Sequence, residues 1–478
     1  MSPVDDVIED AAGGAVTRGW VIPAIIGSAL LMQTMSATVL ANALPTMAVA
    51  LHEDPLRLNL TITMFLLSSA VFLPVSGWVA DKFGAKKIFI ISMVLFAVSS
   101  AACGFAENLT QLVIARIFQG MAGAMMAPVG RLVLLRTTPK SELVGAMSVM
   151  TMPALLGPVV GPVIGGAIVT FADWRWIFFL NIPIAIIGVF LVTRFVPNVR
   201  EQEVSPIDWI GIALTGLGLA GLIFGFENLG RAMLPSGVVA GLFLGGAMSL
   251  ALYWRHARGN PHAILDLSVF KIQTFTASVV GGAFMRIAMG ATPFMLALLL
   301  QIGFGLSPFQ AGLMTFISAA GALVMKTTAP PILRRFGFRT VLVVNAVIVG
   351  VSFMAYGLFQ PTTPHWLIML VLAIGGFFRS LHFTSLNGMA YADIDQARMS
   401  RASTTASMMQ QLVQSIGIGL AAALMHVFMV ARGETHLTAG SISPAFVVIG
   451  LITFVSLFFF VPLPKTAGDE MNGRKRMV

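Results

Sequence analysis

Residues 77–89 read GWVADKFGAKKIF, and residues 330–342 read PPILRRFGFRTVL. Each is a short basic turn around a glycine, set between two long apolar stretches. Such a turn belongs at a bilayer surface between two spanning helices, because Lys and Arg gather on one side of membrane proteins. The rest of the chain agrees. It has 478 residues, 57% of them hydrophobic and only 10% charged, and its mean hydropathy of +0.89 lies well outside the range of soluble domains. Apolar runs of about 20 residues recur, the length that crosses about 30 Å of hydrocarbon as helix. A lipid-buried backbone must satisfy its own hydrogen bonds, and alternating ten-residue strands are absent, so the spans are helical.

Fourteen spans are predicted, at about 19–49, 57–80, 87–106, 111–135, 143–170, 175–196, 207–228, 235–254, 272–301, 308–331, 340–359, 365–391, 402–431 and 443–463. With both termini inside, the basic residues sort themselves. Arg18, Lys82, Lys86, Lys87, Arg136, Lys140, Arg194, Arg200, Arg255, Arg258, Lys271, Arg334, Arg335, Arg339, Arg398, Arg401 and the tail from Lys465 fall on the cytoplasmic side. Only Arg57, Arg175, Arg231 and Arg432 fall opposite. A miscounted span would scramble this asymmetry. The net charge of +9 therefore reflects anchoring at the inner leaflet of the cell's inner membrane, and nucleic acid need not be invoked.

The two quoted turns lie eight spans apart. That shift fits two six-helix bundles, residues 19–200 and 261–463, with two inserted helices at 201–260 and tails at 1–18 and 464–478. Transporters build alternating access from such repeats. The acidic start MSPVDDVIEDAAGG lacks the basic leader of a signal peptide and is expected to be a disordered cytoplasmic tail. Cys103 is the single cysteine, so no internal disulfide forms, and no Cys/His spacing suggests a metal site. No phosphate-binding GxxxxGK[ST] loop is present, which argues against direct ATP hydrolysis, and no cofactor is expected.

Three stretches carry more than packing. In GWVADKFGAKK, Asp81 sits among Lys82, Lys86 and Lys87, where a carboxylate can lock one conformation by pairing with a base or a helix N-terminus; a merely solvated turn is the alternative. In LVIARIFQGMAGAMMAPVGRLVLLRTTP (112–139), Arg116 lies inside span 4, a functional candidate unless it snorkels or pairs internally. Arg131, nearer the cytoplasmic end, is a gating candidate and a partner for Asp81. In LLGPVVGPVIGGAIV (155–169), Gly157, Gly161 and Gly165 share one helix face, with Pro158 and Pro162 beside them. Small residues at this spacing let helices touch, and the prolines bend the span, so tight packing and a hinge or seal coincide.

In this order the three stretches resemble the major facilitator superfamily. The third resembles the antiporter signature of its exporters through Gly157, Gly161, Pro162, Gly165 and Gly166. Fourteen spans, with DWRWIFFLNIP (173–183) after the signature, resemble the drug:proton antiporter group that includes the QacA and EmrB multidrug exporters. The resemblance implies export of drugs or metabolites in exchange for protons, with a periplasmic adaptor as a partner where the cell has an outer membrane. It also marks a departure. Members carry an Asp in span 1, within a stretch like LDxTIxNxALP, that is implicated in proton coupling. Here the stretch is MSATVLANALP (35–45), and the aligned position is Ser36, which cannot titrate.

Among the carboxylates only Glu227, near the outer end of span 7, enters a span. Bases do the opposite: Arg286 sits mid-span in GGAFMRIAMGATPFMLALLL (281–300), Arg379 and His382 share a face of span 12, and Lys326 lies about two turns inside span 10. Unpaired in hydrocarbon each would be costly, so an anion or water should face them. Arg286, Arg379 and His382, with Gln33, Asn42 and Asn387 as polar neighbours, are the candidate substrate contacts. Arg116, His382 and Glu227 are the candidates for proton coupling, and Lys326 reads equally as a snorkelling side chain. The sequence thus predicts a secondary exporter favouring anionic cargo. A gradient-independent facilitator or lipid-like flippase on the same fold is the alternative.

Overall fold

The computed structural model describes residues 20–138, 143–197, 207–228, 234–260, 263, 265, 267–395 and 398–468. Among these the chain is helical throughout. Fourteen long helices follow one another: α1 (Val21–Ala50), α2 (Leu60–Phe83), α3 (Ala85–Gly104), α4 (Leu109–Thr137), α5 (Leu143–Phe171), α6 (Asn181–Phe195), α7 (Trp209–Asn228), α8 (Ser236–Gly259), α9 (Gly282–Leu298), α10 (Pro308–Phe336), α11 (Phe338–Tyr356), α12 (His365–Ala390), α13 (Met399–Ala431) and α14 (Ala439–Thr453, continued to Phe460). Thirteen spans are long and apolar enough to cross a bilayer on their described residues, and α5 supplies the fourteenth with an apolar stretch at Leu156–Phe171. The chain is a multi-pass membrane protein.

The two turns that opened the sequence reading are built alike. Gly84 ends α2 with φ of 96° and Gly337 ends α10 with φ of 75°, a backbone region open to glycine and strained for other residues. In both, the glycine N–H bonds back four residues, to Ala80 O and to Leu333 O, at 2.9 Å. The helix is closed and the next begins at once.

Packing repeats with the same eight-helix shift. α1 packs on α5 as α9 packs on α13, α2 on α4 as α10 on α12, and α3 on α4 and α6 as α11 on α12 and α14. The halves meet along two seams, α5 against α10 and α2 against α13, which the shift exchanges. α7 touches both α2 and α13, while α8 packs mainly on α7. The two inserted helices therefore sit outside the bundles, against the second seam.

Lipid tails give apolar helices no hydrophobic reason to associate, so close backbone approach carries the packing. Gly157 and Gly161 of α5 lie on Thr34 and Thr38 of α1, and a Cβ on Gly165 would stand 2.5 Å from Val39 O. Across the first seam, a Cβ on Gly312 of α10 would stand 2.5 Å from Pro162 O. At the same end Phe309 N–H donates to Thr170 Oγ1 at 3.1 Å, and the Phe171 and Phe309 rings meet edge to face at 5.6 Å. This end, opposite the basic turns, is sealed.

Span 9 differs from the uninterrupted helix expected over 272–301. α9 is flanked by wide turns at Ala277–Gly281 and Leu299–Gly303. At the first, Gly282 N–H reaches back to Ala277 O, and Ser278 O accepts instead from the Arg286 guanidinium at 2.8 Å. Replacing Gly165 or Gly312 with Val should destabilise the protein by roughly 1–3 kcal/mol through overpacking. Gly241→Ala in α8, where nothing lies within 4 Å of an added Cβ, should leave it unchanged. Thermal unfolding in detergent reads the difference; equal midpoints for all three would refute the close-approach account.

Candidate substrate cavity and the buried bases

Between the seal and the basic turns lies a cavity of about 260 Å³. α1 contributes Thr38 and Asn42, α5 Pro158 and Pro162, α9 Met289 and Pro293, α10 Thr315 and Lys326, and α12 Arg379, Ser380 and Phe383. Both halves therefore line it. Its walls are mostly apolar, and its only charged described lining residues are Lys326 and Arg379.

Each base has a neutral partner. Arg379 Nη2 donates to Ser318 Oγ at 3.0 Å, and Lys326 Nζ donates to Thr384 Oγ1 at 2.9 Å. A hydroxyl satisfies one donor and leaves the charge uncompensated. Close α10–α12 contact positions both: Ser380 Oγ donates to Ala322 O at 3.1 Å, and Gly321 and Gly376 lie directly on the facing backbone at Ala373 and Ser318. Asn42 is fixed at the deep end, where its Nδ2 donates to Pro162 O at 3.0 Å and its carbonyl accepts from Gln301 Nε2 at 3.0 Å. Pro162 thereby touches α1 and α10 at the cavity floor.

The remaining candidates are dispersed. Arg286 is 3% exposed and His382 fully buried, and neither lines the cavity. A Cβ on Gly282 would come within 2.8 Å of both the Arg286 guanidinium and Leu386 of α12. His382 packs near the Phe460 ring, at 5.5 Å between centroids. Its two ring nitrogens, Arg286 Nε and Ser278 Oγ have no partner among the described residues. Arg379 and His382, three residues apart, thus diverge into the cavity and into the α9–α12 packing. Gln33 packs over Gly123, and half-buried Asn387 lies one turn beyond Phe383, outside the lining.

Arg116 forms a separate centre in the first half. It is fully buried, with Phe65 4.2 Å from its guanidinium. Its Nε donates to Thr61 O at 3.0 Å, and its Nη1 donates to Gln119 Oε1 at 2.6 Å and to Ser36 Oγ at 3.2 Å. Gln119 and Asn181 both donate to Ser100 Oγ, at 2.7 and 2.9 Å. Ser36, the residue that stands where the resemblance places an acid, is therefore in direct contact with the buried arginine. Arg116 Nη2 has no partner among the described residues.

Asp81 is half-buried in the last turn of α2, and Arg131 is exposed on α4. Gly157, Gly161 and Gly165 all face α1, as the spacing predicts for one helix face. Glu227 is in α7, but its side chain lies outside the described residues. Lys326 and Thr38 are lining residues missing from the candidate contacts; the in-span position of Lys326 was the signal, and an inward snorkel explained it equally well.

A cavity shared by two repeated six-helix halves is the architecture of a membrane transporter. The Major Facilitator Superfamily profile matches residues 26–417 and 274–476. The chain is 35% identical over 443 residues to a Serratia proteamaculans protein named "Putative multidrug resistance protein MdtD", covering 93% of this chain and 91% of that one. It is 36% identical over 443 residues to the Salmonella heidelberg protein of the same name, with 92% of each covered. A solved D-xylose-proton symporter superposes with a TM-score of 0.66 at 13% identity, over 94% of this chain and 98% of that one. The chain belongs to the Major Facilitator Superfamily, in its fourteen-helix drug:proton antiporter group, a family of transporters rather than enzymes.

Ser36→Asp would set a carboxylate against Arg116. In a double-mutant cycle with Arg116→Gln, the introduced acid and the arginine should couple favourably by on the order of 3 kcal/mol, read as unfolding stability. Zero coupling would show that the guanidinium is already compensated.

Proposed function

We propose that the protein exports small drug-like molecules or metabolites bearing an anionic group, by alternating access and in exchange for protons. The observation that carries this reading is the pair Arg379 and Lys326. They enter one largely apolar cavity from facing helices, each bonded only to a hydroxyl, with no carboxylate among the described lining residues. An amphiphilic anion matches both features, since its charge meets the two bases while its apolar body rests on Met289, Pro293 and Phe383. The multidrug resistance named for the relatives supports export.

Orientation follows from the charge asymmetry. The basic turns face the cytoplasm of an inner-membrane protein with both termini inside. The cavity lies between those turns and the seal, so the described conformation receives cargo from the cytoplasmic side. Transport requires the α5–α10 seal to open and the basic end to close. Asp81, in the last turn of α2 at the first basic turn, and Arg131, on α4, take part in that closure, and Gly157, Gly161, Pro162 and Gly165 form the pivot on α1. In a cell with an outer membrane, a periplasmic adaptor would receive the cargo.

Ser36 removes the titrating group from span 1. Proton coupling then falls to His382, Glu227 or the acid of the cargo itself, with buried Arg116 fixing the field around span 1. The Ser36–Arg116 contact also favours a second reading, a facilitator that needs no gradient.

Reconstituted liposomes separate the two. A pH gradient should drive an anionic probe against its concentration, whereas a facilitator gives flux that follows substrate concentration alone. Arg379→Gln or Lys326→Gln should cut transport of anionic probes about ten-fold, the worth of a charge-assisted hydrogen bond, and spare cationic ones. Equal loss for both probe classes would defeat the anion assignment.

A further inference from the structure

A second cavity, of about 660 Å³, lies where the inserted helices meet the body of the protein at its basic end. Its walls come from the last turns of α8, the short turn Leu267–Lys271 and the start of α13. Arg258, Lys271 and Arg398 converge on it from these three elements, with Trp254 at one side and Leu265 and Leu267 forming an apolar wall. No Asp or Glu is among its described lining residues.

Two of the three cations are held in place. The Arg258 guanidinium lies 3.4 Å from the centre of the Trp254 ring, a contact that fixes its charge at the cavity rim. Arg398 donates to Ser268 Oγ on the turn. Lys271 is exposed, and its ammonium is a mobile, strongly hydrated charge suited to a phosphate. Beside them α8 is loosely attached: its apolar stretch is mostly exposed at the protein surface, and it packs mainly on α7. The cavity thus has a cationic floor, an apolar wall and an edge next to a lipid-covered helix.

We propose that this cavity binds the phosphate of an anionic phospholipid from the cytoplasmic leaflet. The phosphate meets Arg258, Lys271 and Arg398, the glycerol end lies on Leu265 and Leu267, and the lipid fastens α8 to the start of α13. Free phosphate would use the cations and leave the apolar wall idle. The ordinary attraction of basic turns for anionic lipid is spread over the whole inner face, whereas here three cations from separate elements line one cavity. The site is distinct from the central cavity and independent of which molecule is transported.

Thermal unfolding of the purified full chain in uncharged detergent tests it, with dioleoylphosphatidylglycerol, dioleoylphosphatidylcholine or inorganic phosphate titrated in. Phosphatidylglycerol should raise the midpoint, and phosphatidylcholine and inorganic phosphate should not. Arg258→Gln and Lys271→Gln, both at exposed side chains, should each require about five-fold more phosphatidylglycerol for the same rise. Arg334→Gln/Arg335→Gln, at the basic turn between α10 and α11 and outside this cavity, should behave as the wild type. Equal stabilisation by phosphatidylcholine, an equal effect of the Arg334/Arg335 change, or reproduction of the rise by inorganic phosphate would each overturn the assignment.

Discussion

Everything in this molecule depends on how closely α5 approaches α1 on one side and α10 on the other. Within hydrocarbon, helices gain little by hiding apolar surface from one another, so contact must come from atoms that fit. Gly165 rests on the Val39 carbonyl and Gly312 on the Pro162 carbonyl, distances that any side chain would forbid. Prolines at 153, 158 and 162 also free α5 backbone from its own ladder. The Pro162 carbonyl, at the centre of this contact, accepts from Asn42 while receiving Gly312. Sealing one end and leaving a cavity at the other are therefore two results of the same contact.

The bases within the spans show how little polar material a bilayer protein can use. Arg116 is met by a carbonyl, an amide and a hydroxyl from three helices, all neutral. Arg286 takes a backbone carbonyl that the wide turn before α9 withholds from its usual donor. Arg379 and Lys326 each have a single hydroxyl and a cavity in front of them. Neutral acceptors lower the cost of burying a cation without cancelling its charge. The first two arginines are folded into the structure, whereas the cavity pair is the one proposed to meet cargo.

Most of the fold was legible because its signals are redundant. Span length, the one-sided basic turns and the repeat at residues 77 and 330 each constrain the count, and the glycines of both turns adopt the same closure. The glycine face of span 5 was equally readable, since four-residue spacing can only mean one face. The cavity was less so. Helical periodicity puts Arg379 and His382 on one face, but their three-residue offset is enough to turn one into the cavity and the other against Phe460. Arg286 looked exposed to cargo because the sequence cannot reveal that the helix locally widens and offers Ser278 O. Lys326 was ambiguous for the opposite reason: only the approach of α12 at Gly321 and Gly376 makes its position a wall of the cavity.

The inserted helices break the symmetry that the repeat sets up. Exchange of the halves should make the two seams equivalent, yet α7 lies across α2 and α13 while, among the described residues, no helix lies across the α5–α10 seam in the same way. At the covered seam Ser415 Oγ donates to Thr63 O at 3.3 Å, a contact that movement of the halves would have to remake. α7 touches both partners and so resists their sliding. In the alternating access proposed above, the opening of the cavity to the other side would then hinge about the α2–α13 seam, with α5 and α10 separating. Asn42, Pro162 and Gly312 stand at the separating seam, which puts the polar floor of the cavity where the motion is largest.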